Sequence, residues 1–174
     1  MVIFDVLTYM MKTTKLLLIM LLPVMVLLSG CPIGLDYPAG NVGTEKIDKK
    51  LLGTWTTNKE DPEFGKVTIA KSTANSYSIT VENTGTMYSL ETNEFTGWVT
   101  EIGGKTFIYA LPNGENSYFM YCYKFSDGKM YTYDVGLLDG GTEAVKSIES
   151  LRTQIETSLK REDCLSDEIE WTKQ

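Results

Sequence analysis

Between residues 51 and 135 the chain is built from short segments of alternating apolar and polar residues. Segments with a strand-like pattern cover 51–57, 66–71, 77–81, 86–90, 95–102, 105–111, 117–125 and 129–135, and a last one covers 169–172. Turn-forming pairs such as Gly103-Gly104 and Asp127-Gly128 separate them. Segments 86–90 and 95–102 are read either as one bent strand or as two. This pattern predicts an all-β fold, an antiparallel up-and-down β-barrel, with a β-sandwich as the alternative.

The hairpin at 117–135 carries aromatic residues at alternate positions of both strands. They are Phe119, Tyr121, Tyr123 and Phe125 on the first strand, and Tyr131 and Tyr133, followed by Val135, on the second. A three-residue loop at 126–128 places both sets on one face, whereas a two-residue loop places them on opposite faces. Gly128 suits the left-handed third position of the longer loop. We therefore expect both aromatic sets inside the barrel, and Met120, Cys122 and Lys124 outside.

Residues 142–160 predict the one helix of this fold. Apolar residues recur three and four positions apart, at Val145, Ile148, Leu151, Ile155 and Leu159. Thr142 is suited to cap the start of this helix. Such an amphipathic helix buries its apolar stripe, and we expect it to pack against the outside of the sheet.

The N-terminal stretch has the order of a secretory signal peptide. Lys12 and Lys15 precede an apolar run at 16–28, and two small residues, Ser29 and Gly30, follow it before Cys31. The apolar run of about 13 residues is shorter than the roughly 20 that a transmembrane helix needs. We therefore expect residues 1–30 to be removed on export.

The sequence Leu28-Ser29-Gly30-Cys31 resembles the lipobox of bacterial lipoproteins at all four positions. The resemblance implies cleavage before Cys31 and its acylation with a diacylglycerol thioether and an N-linked chain such as palmitate. Two or three acyl chains anchor a protein stably in a membrane. Residue 32 is proline and no acidic run follows. By resemblance to known sorting patterns, this implies the outer membrane of the cell envelope, facing the periplasm.

The predicted mature chain divides into a tether and one domain. Residues 31–45 are rich in proline and glycine, which predicts a flexible tether that reaches roughly 45 Å when extended. The barrel domain is expected over 46–174. Without residues 1–30 the chain has 22 acidic and 14 basic residues, a net charge of −8. This charge disfavours nucleic acid as a partner and leaves the acyl chains as the expected membrane attachment.

Two cysteines, Cys122 and Cys164, follow Cys31. An exported protein meets an oxidising compartment, where an even pair favours a disulfide. Cys122 is expected on the outer face of its strand, and Cys164 just after the helix that packs on that face. The sequence therefore predicts a Cys122–Cys164 bridge, with two free buried thiols as the alternative.

The segment Gly53-Thr54-Trp55 on the first strand is similar to the Gly-x-Trp opening of lipocalins, which belong to the calycins. The order of strands, helix and last strand is also similar. In lipocalins the tryptophan plugs the closed end of the barrel and an arginine near the last strand packs on it. Here the only arginines, Arg152 and Arg161, lie in the helix region.

The resemblance implies a binding module for a small apolar or amphipathic ligand. The candidate lining residues are Trp55, Tyr77, Phe119, Tyr121, Tyr123, Tyr131 and Tyr133. The alternative is a protein-partner module with a solid core, either an envelope assembly factor or an inhibitor of a lytic enzyme. We expect no catalysis, metal or cofactor, because the chain has no histidine and no nucleotide, calcium or serine-hydrolase motif.

Overall fold

The computed structural model describes residues 34–57, 65–82, 94–137 and 141–174. The expected signal peptide, Cys31 and the expected strand at 86–90 lie outside these residues. The eight strands are β1 (Gly53–Thr57), β2 (Lys66–Lys71), β3 (Tyr77–Glu82), β4 (Glu94–Ile102), β5 (Lys105–Pro112), β6 (Phe119–Ser126), β7 (Lys129–Val135) and β8 (Leu165–Lys173). Each strand is antiparallel to its neighbours, and β8 pairs with β1 to close the barrel. The prediction of an up-and-down barrel is confirmed, and the alternative of a β-sandwich is wrong.

Side chains alternate between the inside and the outside of the barrel along each strand. In this barrel both faces of the wall carry a buried apolar cluster. The buried interior cluster comprises Leu51, Trp55, Ile69, Tyr77, Ile79, Val99, Tyr123, Met130 and Trp171. A second buried cluster lies outside the wall and comprises Leu35, Ala39, Ile102, Phe107, Tyr109, Cys122, Val145, Leu151 and Ile155. The outer cluster is buried because the helix and the N-terminal segment cover it.

The two ends of the barrel differ. At the closed end, a 3₁₀ turn, Lys49–Leu51, leads into β1, and the turns after β2, β4 and β6 lie at the same end. At the opposite end, which we call the mouth, β5 ends and β6 begins.

The β6–β7 turn corrects the predicted register. Ser126 pairs with Lys129, so the loop has only two residues, Asp127 and Gly128. Both have positive φ, 52° and 77°, as a type I′ turn requires. The three-residue prediction was wrong because aspartate tolerates the left-handed conformation that we assigned to the glycine alone. The loop therefore places the second aromatic set on the opposite face from the first.

The shorter loop moves two candidate lining residues out of the barrel. Met130 and Thr132 pair with the inward-facing Phe125 and Tyr123. Tyr131 and Tyr133, which we expected inside, lie on the outer face of β7. The first aromatic set does face inward, and Cys122 faces outward as expected.

The helix α1 (Ile148–Ser158) is shorter than predicted. It begins not after Thr142 but after Ser147, which forms a capping box with Ser150. A separate 3₁₀ turn, Gly141–Ala144, precedes it. The apolar stripe packs against the outer wall as predicted, with Leu151 and Ile155 fully buried.

The segment expected to be a flexible tether is instead packed against the outer wall from Gly34 on. Leu35 forms an isolated bridge with Tyr118, and the backbone amide of each donates to the carbonyl of the other at 2.8 Å. Leu35 is 5% exposed and Ala39 is fully buried. We call residues 34–48 the strap. It runs from the mouth to the 3₁₀ turn at the closed end.

The predicted Cys122–Cys164 disulfide is absent, and both residues are free, buried thiols. Burial raises the pKa of the Cys122 thiol to about 11. The Cys164 thiol donates to the carbonyl oxygen of Gly136 at 3.7 Å. A position on the same outer face was therefore not sufficient for a bond, because disulfide geometry also constrains the Cα separation and the direction of both Cβ atoms.

Candidate ligand-binding site

Trp55 lies across the closed end of the barrel. Its indole Nε1 donates to the carbonyl of Leu51 at 2.8 Å, which ties the 3₁₀ turn to β1. The Nζ atom of Lys173 lies 5.2 Å from the centroid of the indole ring. The cation that packs on the tryptophan is therefore a lysine of β8.

Two inward-facing tyrosines hold the 3₁₀ turn in place through hydrogen bonds to Asp48, the residue that precedes it. The Tyr77 hydroxyl accepts from the Asp48 amide at 2.5 Å and donates to the Asp48 carbonyl at 3.2 Å. The Tyr123 hydroxyl donates to Oδ2 of Asp48 at 3.3 Å. Burial raises the pKa of Tyr77 to about 12, and burial together with the Asp48 carboxylate raises that of Tyr123. Both hydroxyls therefore stay protonated, and they act as structural ties at this end.

The remainder of the described interior has a different character. Its lining includes apolar side chains that are only half-buried: Val67, Val81, Phe95, Ile108, Ala110, Phe119, Tyr121 and Ile169. The rings of Phe95 and Phe119 meet edge to face at a centroid distance of 6.2 Å. Accessible apolar side chains inside a barrel can bury an alkyl chain or a ring, and the Tyr121 side chain adds one hydroxyl. We take this lining as the candidate site.

The seven lining residues predicted from the sequence are distributed over three places. Phe119 and Tyr121 belong to the candidate site. Three belong to the closed end: Trp55, Tyr77 and Tyr123. Tyr131 and Tyr133 lie outside the barrel, which contradicts their assignment to the interior.

Sequence reasoning missed Phe95, Ile108 and Ala110. The signal was present, because 95–102 and 105–111 alternate as regularly as the hairpin does. Pairing Phe95 with Pro112 and Ile108 with Tyr121 needs the register of β4, β5 and β6, which the turn Gly103-Gly104 alone did not provide.

The two outward tyrosines form a polar network on the surface of β6, β7 and β8. The Tyr131 hydroxyl donates to Oε2 of Glu170 at 3.1 Å, and the Tyr133 hydroxyl donates to Glu168. The Nζ atom of Lys124 lies 5.3 Å from the Tyr131 ring centroid and 5.0 Å from that of Tyr133. The hydrogen bond with Tyr133 raises the pKa of Lys124, which keeps this exposed amine charged. We call these five residues the outer tyrosine network.

Two searches for other kinds of site gave nothing in the described part of the chain. Between Gly34 and Gln174, apart from the gaps given above, no three histidine, cysteine, aspartate or glutamate residues are grouped to hold a metal ion. Within those same ranges, no helix has both the length and the apolar character to cross a bilayer.

The fold and the site define a class, an eight-stranded up-and-down β-barrel plugged at one end and lined with accessible apolar side chains towards the other. Its architecture is consistent with a lipocalin-like barrel. No protein-family model, curated protein or solved structure gave a match to the chain. The functional argument therefore rests on the residues themselves.

Proposed function

We propose that this protein is a membrane-anchored lipoprotein of the bacterial envelope whose barrel binds a small apolar or amphipathic ligand. The observation that carries the proposal is the contrast within the interior. The closed end is packed and tied by hydrogen bonds, whereas the side chains towards the mouth, such as Ile108 and Phe119, are apolar and only half-buried. A ligand that covers these side chains is stabilised because its own apolar surface and that of the lining are both removed from water.

This mechanism predicts a dependence of affinity on chain length. Burial of each CH₂ group contributes about 0.8 kcal/mol, so each added methylene should tighten the Kd roughly four-fold until the lining is filled. A fatty-acid series measured by calorimetry tests this. An affinity that does not change with chain length would contradict an apolar site.

A matched pair of variants locates the ligand. Ala110 of β5 faces inward at the candidate site, and Ser78 is exposed on the outer face of β3. Ala110→Phe should weaken binding, because the added ring fills the lining, whereas Ser78→Phe should leave it unchanged. Thermal unfolding of both variants controls for stability. Equal affinities in the two variants would place the ligand elsewhere.

The anchor is tested separately. Cys31→Ala removes the sulfur to which the diacylglycerol is attached, and the acidic mature chain has no electrostatic attraction for anionic lipids. The variant should be soluble or remain uncleaved in cell fractionation. A variant that is still processed and still sediments with membranes would contradict acylation at this residue.

A protein-partner module is the second candidate, and the outer tyrosine network supports it. Tyrosine, with an apolar ring and a hydroxyl, is enriched at protein interfaces. Under this alternative, pull-down from solubilised envelope should capture a partner with the unchanged protein and lose it with the double variant Tyr131→Ala/Tyr133→Ala. Capture that is equal in both would exclude the network as the interface.

A further inference from the structure

The strap changes how the barrel is held at the membrane. Had residues 31–45 been a free tether, the domain could have stood roughly 45 Å from its anchor. Because the chain is packed from Gly34, only Pro32 and Ile33 lie between the packed strap and Cys31. The three residue-to-residue steps from Cys31 to Gly34 span at most about 11 Å. The acylated residue is therefore confined to the neighbourhood of the place where the strap begins.

That place is the mouth. Gly34 lies so close to Ser117, in the connection between β5 and β6, that a Cβ on the glycine would be 2.5 Å from the Ser117 Cβ. The next residue, Leu35, exchanges two backbone hydrogen bonds with Tyr118, directly before β6 begins. The strap thus starts at the end of the barrel to which the half-buried apolar lining belongs.

Contacts along its length fix the strap to the wall. The guanidinium of Arg152 on α1 donates to the Ala39 carbonyl at 3.0 Å and to the Glu101 carbonyl of β4 at 2.8 Å. Thr100 donates to Oε1 of Glu45 at 2.6 Å. Gly40 packs directly over Thr100, where a Cβ would be 2.8 Å from the threonine hydroxyl oxygen. Because backbone, side-chain and packing contacts hold the strap, it does not allow the barrel to rotate freely about the point where the strap begins.

We propose that the strap holds the mouth of the barrel at the surface of the phospholipid bilayer that carries the acyl chains, so that the apolar lining opens onto that bilayer. This inference rests on the proposed acylation of Cys31. It narrows the ligand class to amphipathic lipids of that membrane, which reach the lining over a short path. The closed end, roughly 18 Å away along the barrel axis from the length and tilt of β5, points away from the bilayer.

The test compares two labelled positions in the acylated protein. Asn116 is exposed beside the mouth, and Ala74 is exposed in the turn after β2 at the closed end. Asn116→Cys and Ala74→Cys would each carry a fluorophore, while the buried Cys122 and Cys164 react slowly. The variants are placed in phosphatidylethanolamine–phosphatidylglycerol vesicles that contain a lipid with a nitroxide on its headgroup.

The label at residue 116 should be quenched several-fold more than the label at residue 74. Insertion of about twelve Gly and Ser residues between Ile33 and Gly34 adds roughly 20 Å of flexible chain and should abolish the difference. Equal quenching, or stronger quenching at residue 74, in protein that floats with the vesicles would overturn the orientation and leave the anchor intact. Protein that does not float with the vesicles would overturn the anchor, and the orientation with it.

Discussion

Alkylation of Cys122 and Cys164 gives a quantitative test of the burial of these two thiols. Burial raises the pKa of Cys122 from its ordinary value of 9.0 to about 11. At pH 8 the thiolate fraction falls from about 9% to about 0.1%, roughly 100-fold. A more basic thiolate is a stronger nucleophile, with a Brønsted slope of about 0.5, which returns about ten-fold. The shift in pKa alone thus slows the reaction about ten-fold.

Burial adds a second factor. Cys122 is 3% exposed and Cys164 is 4% exposed, so a reagent reaches either sulfur only after local or global opening. We therefore expect alkylation of the native protein at least ten-fold slower than that of the protein in denaturant. Each thiol is followed alone in the variants Cys164→Ser and Cys122→Ser, by mass spectrometry against time.

The same assay decides the redox state. Unreduced protein in denaturant should take up two equivalents of reagent at residues 122 and 164, since the structure contains free thiols. Uptake of none would show that the disulfide forms in the purified protein and would refute the free-thiol structure. Native alkylation as fast as in denaturant would refute the burial of both residues.

Two further predictions concern stability. Ile155→Ala should lower the free energy of unfolding by about 2–5 kcal/mol, because the Ile155 side chain is fully buried between α1 and the wall. The control is Glu156→Ala: Glu156 is the next residue and is exposed, so its substitution should change the free energy of unfolding by less than about 0.5 kcal/mol. Denaturant titration measures both values. Burial raises the pKa values of Tyr77 and Tyr109 from 10.0 to about 12. Their contribution to the free energy of unfolding is fully present below pH 10 and is lost as the pH rises towards 12, by up to roughly 2–3 kcal/mol for each tyrosine. Unfolding should therefore accompany the rise in tyrosinate absorbance. Tyr109→Phe should reduce this loss of stability at high pH.

Alternation and periodicity predicted the parts of this fold in which burial decides the structure. Val67, Ile69 and Tyr77 lie on inward faces because an all-polar inward face could not fill a barrel. The stripe that contains Leu151 and Ile155 packs on the wall because a helix with one apolar face must cover it. The β6–β7 register could not be predicted in the same way, because Asp127-Gly128 is compatible with a loop of two or of three residues. The choice between them depends on whether Asp127 adopts a positive φ, as it does in the structure.

Glycine explains why the strap was misread. Its freedom of backbone rotation favours a flexible tether, and its lack of a side chain favours close packing, and composition cannot distinguish these effects. At Gly34 and Gly40 the second effect decides, because a methyl group at either would collide with Ser117 or Thr100. The distinction depends on the wall to which the strap binds, and its partners, Tyr118 and Arg152, are more than 80 residues away along the chain. A segment whose fold depends on such distant partners is assigned from tertiary structure, and here that assignment is the basis of the proposed orientation of the barrel.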